Sequence, residues 1–472
     1  MKTTPTHTVP MSKKIFFGLG MLAMQMFPAA LGIFMVVLIQ DFGFDPLMWG
    51  LIFFLPRVVD AVTDPVMGFI SDNTKSRWGR RRQYIFVGAI IMGISFIAMW
   101  QIYPENGLSF NFWYFLLLSV VFYLGLTIFS VPYVALGYEM STDFHERTRI
   151  MAVSQWISQW AWVIVPWFWI IIYDDSWFSS PESGTRTLAI YVSVFCTLLA
   201  LVPALFIKGK STLNDDTLVN INFKAIKENL STLIIGFKDA ANNKPFVRLC
   251  VATFFIFNSF QTIAAFSFFI IVYYLFQGDA NAAGVWPTLH GSVGALLTTF
   301  LVIPIVTKMS ERLGKKKTFV ISQAISILGY ILFWFLFIPG KPYMFLFALP
   351  LFSFGIGGLF TLMMSMTADT CDLDELNNGL PRKEATFGAL YWWMVKFGTA
   401  LAGLFSGIIM STVGFDASLP EQTESAMTGL RIFYTVLPVI GTCIAIYVMK
   451  NYEINEASAN EVSNILAKRN NK

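Results

Sequence analysis

Arg77-Trp78-Gly79-Arg80-Arg81-Arg82 and Arg312-Leu313-Gly314-Lys315-Lys316-Lys317 stand 235 residues apart in a chain of 472 and share an Arg-x-Gly frame followed by three cations. A bias of basic residues toward one side of a membrane explains such clusters, but not the same frame twice. Each hexapeptide follows the second apolar stretch of its half, so the chain reads as two copies of one six-stretch plan. Outward from them, the predicted spans are 14–40, 47–70, 84–103, 112–137, 150–173 and 187–207, then 246–277, 287–308, 318–338, 343–366, 384–412 and 429–450. Each approaches or exceeds the roughly 20 residues that a helix needs to cross a hydrocarbon core. The expected fold class is an all-α membrane protein with twelve transmembrane helices in two pseudo-symmetric six-helix halves.

Composition sets the same bounds. The chain is 56% hydrophobic and 13% charged, too few charges to coat a soluble domain. Its 47 Phe and 14 Trp suit lipid-facing surface, interfacial belts or stacking on a ligand, and number alone does not separate these uses. Cys196, Cys250, Cys371 and Cys443 lack CxxC spacing, and His7, His145 and His290 form no cluster in sequence. A disulfide framework, a metal centre, a cofactor and an enzyme are therefore not expected, nor is a nucleic-acid partner. The expected partners are the lipid bilayer and a small-molecule substrate.

An even number of spans places both termini on one side. Counting span-end lysines with their loops, Lys and Arg on that side outnumber those opposite by 27 to three, so both termini are expected in the cytoplasm of a multi-pass plasma (inner) membrane protein. The apolar run after Lys13-Lys14 is longer than a signal-peptide core and reads as an uncleaved first helix. The expected organisation is an N-terminal half over 1–207, a cytoplasmic middle loop over 208–245, a C-terminal half over 246–450 and a cytoplasmic tail over 451–472. The middle loop is polar at Asn214-Asp215-Asp216 and carries a candidate amphipathic helix near 221–237. Two parallel six-helix halves resemble the major facilitator superfamily, which implies a substrate site between them near the midplane.

Few charges then remain inside the spans: Arg57, Arg248, Lys396, Asp60 and Asp64, with Glu384 at a boundary. Each costs about 2.5 kcal/mol or more at mid-membrane and calls for a reason. Arg57-Val-Val-Asp60-Ala-Val-Thr63-Asp64-Pro65 puts Arg57, Asp60 and Asp64 on one helix face. Two carboxylates there repel unless a proton or cation lies between them, so Asp60 and Asp64 are candidate cation ligands. Asp60 lies thirteen residues into its span and Thr127 fifteen into a span running the same way, hence at similar depth. Thr127 and Thr63 offer neutral oxygens to a hard cation. Arg57 and Lys396, the latter near the midplane of the other half, are candidate charge partners. The competing reading is a static salt-bridge network, a task that apolar packing performs at lower cost.

Here the residues resemble a known family. Arg57-x-x-Asp60-x-x-x-Asp64-Pro65-x-x-Gly68 is similar to the second-helix signature of the glycoside–pentoside–hexuronide:cation symporters, typified by melibiose permease. The likeness extends to Tyr133-x-Ala135-Leu136-x-x-Glu139-Met140-Ser141-Thr142-Asp143-x-x-Glu146-Arg147-Thr148-Arg149 and to Ala368-Asp369-x-x-Asp372. It continues through Gly379-x-x-Arg382-Lys383-Glu384-Ala385 to Lys396-x-Gly398. The resemblance implies that Asp60, Asp64 and Thr127 match cation-site positions and that Lys396 matches a lysine near that site. Thr63 stands where melibiose permease has Asn, which leaves Na⁺ or H⁺ open.

The sugar side departs from the family. Its first-helix Gly-x-Gly-Asp is Gly18-Leu19-Gly20-Met21 here, its fourth-helix Asp-x-Pro is Ser130-Val131-Pro132, the Trp expected four residues after that acid is Val134, and its fifth-helix Arg is Gln155. The candidates for a replacement are Ser130, Tyr133, Gln155, Trp156, Asn258, Gln261, Trp392 and Trp393, with Gln25 and Gln159 as weaker members. Amides and hydroxyls suit a neutral polyol, and aromatic faces suit the C–H side of a sugar. His290 reads as a hydrogen-bonded interior residue before a proton carrier.

Gly68-x-x-x-Asp72 followed by Arg77-x-Gly79-Arg80-Arg81 resembles the superfamily's loop motif with extra residues in the middle. Asp72, Arg77 and Arg80 are the candidate gate, with Asp72 expected to pair across the cytoplasmic side with a basic residue or helix N-terminus in the outward-open state, a contact that breaks as the halves rock. The leading expectation is cation-coupled uptake of a sugar or glycoside by alternating access, with Na⁺ or H⁺ as the coupling ion and the single chain as the working unit. The alternatives are a cation-coupled transporter of an amphipathic, lysolipid-like solute, and a non-transporting membrane sensor of the same fold. Asp60, Asp64 and Lys396 weigh against the sensor, and no ring of pore-lining charges suggests a channel.

Overall fold

The computed structural model describes residues 8–141, 144–209, 211–213, 218–378, 384–416, 419, 421–454, 458, 461–462 and 465–466. His7, Thr142, Asp143, Asn214-Asp215-Asp216, Gly379, Arg382 and Lys383, named above, lie outside them. Twelve helices among the described residues are long and apolar enough to cross a membrane. They are α1 (Met11–Gln40), α2 (Pro46–Asp72), α3 (Arg82–Met99), α4 (Leu108–Glu139), α5 (Arg149–Ile172) and α6 (Pro181–Phe206). After them come α7 (Lys244–Leu275), α8 (Ala280–Leu313), α9 (Lys315–Leu336), α10 (Pro342–Asn377), α11 (Phe387–Thr412) and α12 (Glu424–Lys450). Span existence and order follow the sequence reading, because bilayer thickness fixes a minimum apolar length. A further helix, Phe223–Asn242, occupies the middle loop. The chain divides into two units, Met1–Leu230 and Ser231–Lys472, with six spans in each.

The internal repeat recurs in the packing. In the first unit α1 packs on α5 and α6, α3 on α4 and α6, and α2 on α4. In the second, α7 packs on α11 and α12, α9 on α10 and α12, and α8 on α10. Every pairing returns six helices later. At the tightest crossings a glycine lets two backbones meet. A Cβ added at Gly88 on α3 would lie 2.4 Å from the Phe129 nitrogen on α4, and one at Gly329 on α9 would lie 2.4 Å from the Phe352 nitrogen on α10. Such close approach is how membrane helices gain packing energy where water supplies no hydrophobic drive.

Two of the three basic residues on the sparsely charged side are also used alike. Arg186 at the start of α6 donates to the Ile102 carbonyl at 3.0 Å and lies 4.5 Å from the Tyr103 ring centre. Arg431 on α12 donates to the Trp334 carbonyl at 2.8 Å and lies 3.9 Å from Tyr274 and 4.5 Å from Trp334. Each guanidinium thus ties the end of its unit's third helix to the sixth, by a carbonyl bond and an aromatic face. At the opposite, basic end of the first unit, Lys14 on α1 lies 2.7 Å from Glu146 just before α5, and the same carboxylate oxygen accepts from Val9 N at 2.9 Å. Both charges are buried, and the Lys14 bond holds Glu146 below the usual carboxylate range.

Arg248, expected within a span, sits in the first turns of α7 and bonds Glu453 at 3.0 Å as well as the Asn451 carbonyl, so its charge is met by the tail. Gly88→Val and Gly329→Val are each expected to cost about 1–3 kcal/mol through overpacking. Gly32→Ala, where a Cβ meets nothing within 4 Å, is the tolerated control. Thermal unfolding of the detergent-purified protein checks this, and unaltered melting of both valine variants would contradict the packing account.

Candidate functional site

The site is assembled on α2 and α4, which pack together inside the first unit. Along α2, Pro65 has no N–H to give the Ala61 carbonyl, so the backbone ladder is interrupted right beside the acids. Asp60 is buried and Asp64 half-buried, and both face Thr127 of α4. The Thr127 hydroxyl oxygen lies 2.6 Å from Asp60 Oδ1 and 3.1 Å from Asp64 Oδ1. Thr63 adds a second hydroxyl at 3.3 Å from that of Thr127. Its own proton is within reach of the Val59 and Asp60 carbonyls at 3.0 and 3.2 Å, which leaves its lone pairs toward Thr127.

Hydroxyl chemistry limits this arrangement. Thr127 has one proton and can donate to one carboxylate at a time. Two acceptors sharing one hydroxyl lie at most about 6 Å apart, where like charges in a low-dielectric span repel strongly. Four oxygens from Asp60, Asp64, Thr63 and Thr127 thus converge on one region, a donor set suited to a proton or a hard cation.

Arg57 turns back along α2. Its guanidinium donates to the Phe53 carbonyl at 2.7 Å and lies 3.8 Å from the Phe53 ring centre and 5.4 Å from Tyr123 on α4. Lys396 is half-buried on α11 in the second unit. Two residues on, Gly398 admits α7 closely: an added Cβ would meet Asn258 Nδ2 and Phe254 at 3.4 Å.

The other candidates divide. Ser130 is half-buried on α4, while Gln155 and Trp156 are exposed on α5. Asn258 and half-buried Gln261 are three apart on α7, and the Asn258 amide donates to the Phe254 carbonyl at 3.2 Å. On α11, Trp392 is exposed and Trp393 stacks on Phe397 at 5.1 Å. Tyr133 differs from expectation. Its ring is fully buried between Phe17 and Phe129, and its hydroxyl donates to the Phe17 carbonyl, so it fastens α4 to α1 instead of lining open surface. His290 is buried beside Tyr434, at 3.3 Å.

Asp72 also differs. Its carboxylate pairs with Arg81 of its own unit at 2.6 Å, and Arg81 and Arg80 both reach Glu139 on α4, at 2.8 and 2.5 Å. Arg77 is exposed and stands outside this cluster. Arg81, not Arg77, is the residue that completes the motif's charge network. In the second unit Lys315, the counterpart of Arg80 in the 235-residue frame, pairs with Asp369 of α10 at 2.6 Å.

The family model described as MFS/sugar transport protein matches residues 16–456. The chain belongs to that family. Among curated relatives, the glucuronide carrier protein homolog of Escherichia coli (strain K12) is 25% identical over 88% of this chain and 86% of its own length. The isoprimeverose transporter of Lactiplantibacillus pentosus is 21% identical, covering 95% and 90%. With a putative glycoside/cation symporter also among its relatives, the chain is a member of the glycoside–pentoside–hexuronide:cation symporters. The structure of a D-xylose–proton symporter superposes with a TM-score of 0.63 at 14% identity, covering 94% of this chain and 98% of that one, which places the fold in the major facilitator class.

Two features of this family member escaped the sequence reading. Tyr123 and Phe53 flank Arg57, and the N-terminal tilt of helical side chains was the available signal for Phe53. Trp160 stands one turn from Trp156, at 6.2 Å between ring centres, and i,i+4 spacing was its signal. Thr127→Val keeps the shape but removes the shared hydroxyl. It is expected to lower stability at neutral pH by about 1–3 kcal/mol, while Thr127→Ser stays near the wild type. Melting curves in detergent decide, and equal curves for valine and serine would contradict the shared-hydroxyl geometry.

Proposed function

We propose that this membrane protein is a cation-coupled symporter that takes up a sugar or glycoside by alternating access. Na⁺ or H⁺ occupies the region bounded by Asp60, Asp64, Thr63 and Thr127. The observation that carries the reading is the Thr127 hydroxyl shared by two carboxylates inside an apolar bundle. One added positive charge relieves their repulsion, and its departure leaves a state that needs a basic partner. Arg57 and Lys396 are the partners proposed for that state, which links ion release to movement of the second unit. The substrate meets Ser130, Gln155, Trp156, Asn258, Gln261, Trp392 and Trp393. The basic loops face the cytoplasm, as do both termini, and the single chain is the working unit.

A second reading keeps the ion and changes the cargo. A sodium-dependent lysophosphatidylcholine symporter of Xenopus tropicalis is 22% identical over 95% of this chain and 88% of its own length. Met21 and Ser130 stand where the sugar-site acids of the resemblance are expected, which favours an amphipathic solute as the alternative.

The test is substrate-stimulated cation movement in proteoliposomes, read with Na⁺ and pH electrodes across a panel of mono- and disaccharides and one lysolipid. A sugar is expected to drive inward movement of one ion, abolished by Asp64→Cys. Sugar uptake without ion movement, or coupling that survives Asp64→Cys, would contradict the proposal. Stimulation by the lysolipid alone selects the second reading.

A further inference from the structure

Gln155, Trp156, Gln159 and Trp160 fall on one face of α5, since residues four apart lie above one another on a helix. The other side of the helix, with Ser154, Ser158 and Ala161, is buried where α5 meets α1. On the open face Trp156 is 56% exposed and Trp160 40%, and their rings meet edge-on at 6.2 Å. Gln159 lies about 15 Å along α5 from Arg149, deep in the span. An amide turned to lipid within a span costs several kcal/mol, so the exposed Gln155 amide, on the same face, calls for polar space beside it.

The hydrogen-bonding groups on this face have a definite sense. Ser158 Oγ donates to the Gln155 backbone carbonyl at 2.9 Å and lies 3.3 Å from Gln155 Oε1, which places the amide oxygen on the Ser158 side and the NH₂ away from it. That NH₂ and the indole N–H groups of Trp156 and Trp160 meet no acceptor among the described residues. Beyond Arg149, α5 contains no Lys or Arg. The face offers N–H donors and aromatic planes without a cation. Hydroxyl oxygens and the C–H side of a pyranose ring match it, whereas a carboxylate lying on it would be stripped of water with no counter-charge from this face.

We propose that this α5 face is the specificity wall of the substrate site and that it selects a neutral glycoside over the corresponding glycuronide. The proposal rests on the sugar-symport reading and narrows it. Trp160 and Gln159 join Gln155 and Trp156 as its specificity-determining residues. Similarity to a glucuronide carrier homolog therefore does not carry over to the cargo.

The test uses the full-length protein in proteoliposomes with matched pairs that differ only at C6: p-nitrophenyl β-D-glucoside against its glucuronide, and p-nitrophenyl β-D-galactoside against its galacturonide. Uptake and ion movement are recorded together. The neutral member of a pair is expected to enter about tenfold faster or more, since an unpaired carboxylate loses more than a decade in binding. Trp160→Ala is expected to lower that uptake about tenfold and Trp160→Phe to retain most of it, as stacking but not the N–H survives. Gln155→Arg is expected to narrow the preference by admitting the uronide. Ion-coupled uptake of the uronide at an equal or higher rate overturns this proposal alone and leaves symport standing. Unchanged neutral uptake in both Trp160→Ala and Gln159→Leu, melting as the wild type does, means that the face meets lipid and also overturns it. No uptake of any member with no ion movement removes the symport reading and this one with it.

Discussion

Two carboxylates one helical turn apart in an apolar span are the constraint to which the first unit is fitted. Asp60 and Asp64 cannot both hold full charge in low dielectric without positive charge or hydrogen-bond donors nearby. The structure brings them to Thr127, whose single hydroxyl reaches both, and places Thr63 behind it with its proton committed to backbone carbonyls. The result is four side-chain oxygens gathered in one region, a donor set suited to a proton or a hard cation. Such a set suits the coupling site proposed for it, which has to pass between an occupied and a vacated state.

The scaffold keeps these groups in place with inexpensive means. Gly88 and Gly329 bring the third and fourth helices of each unit into backbone contact. α2 packs on that same α4, so the Gly88 crossing also bears on where Thr127 stands. Arg186 and Arg431 fasten the far ends of the third helices, while Lys14 with Glu146 joins α1 to the start of α5. Tyr133, locked between Phe17 and Phe129, closes the remaining gap between α1 and α4. Charges at the ends and close packing between helices leave the mid-span polar groups of α2 and α5 for other work.

The spans and the repeat were legible because both rest on length and on charge, which a bilayer reads directly. The pairing of Asp60 with Thr127 was legible from depth, since two helices running the same way in one bilayer share a common ruler. The reach of each side chain was not. Arg57 stays on the face it shares with Asp60, but its guanidinium reaches one turn back to Phe53, following the tilt of helical side chains toward the N-terminus. Asp72 was expected to reach across the cytoplasmic side in the outward-open state, and here a closer cation, Arg81, meets it within its own unit. An aromatic at a plausible depth also does not declare whether it packs inward, as Tyr133 does, or stays open, as Trp156 and Trp160 do.

The most direct measurement is cation binding to the purified protein, by calorimetric titration with NaCl against choline chloride, alongside proton uptake recorded in lightly buffered solution. The account predicts about one Na⁺ or one proton bound per chain, absent from the Asp60→Asn, Asp64→Asn double variant although that variant stays folded. Binding that persists in the double variant, or no binding of either ion to the wild type, would contradict it.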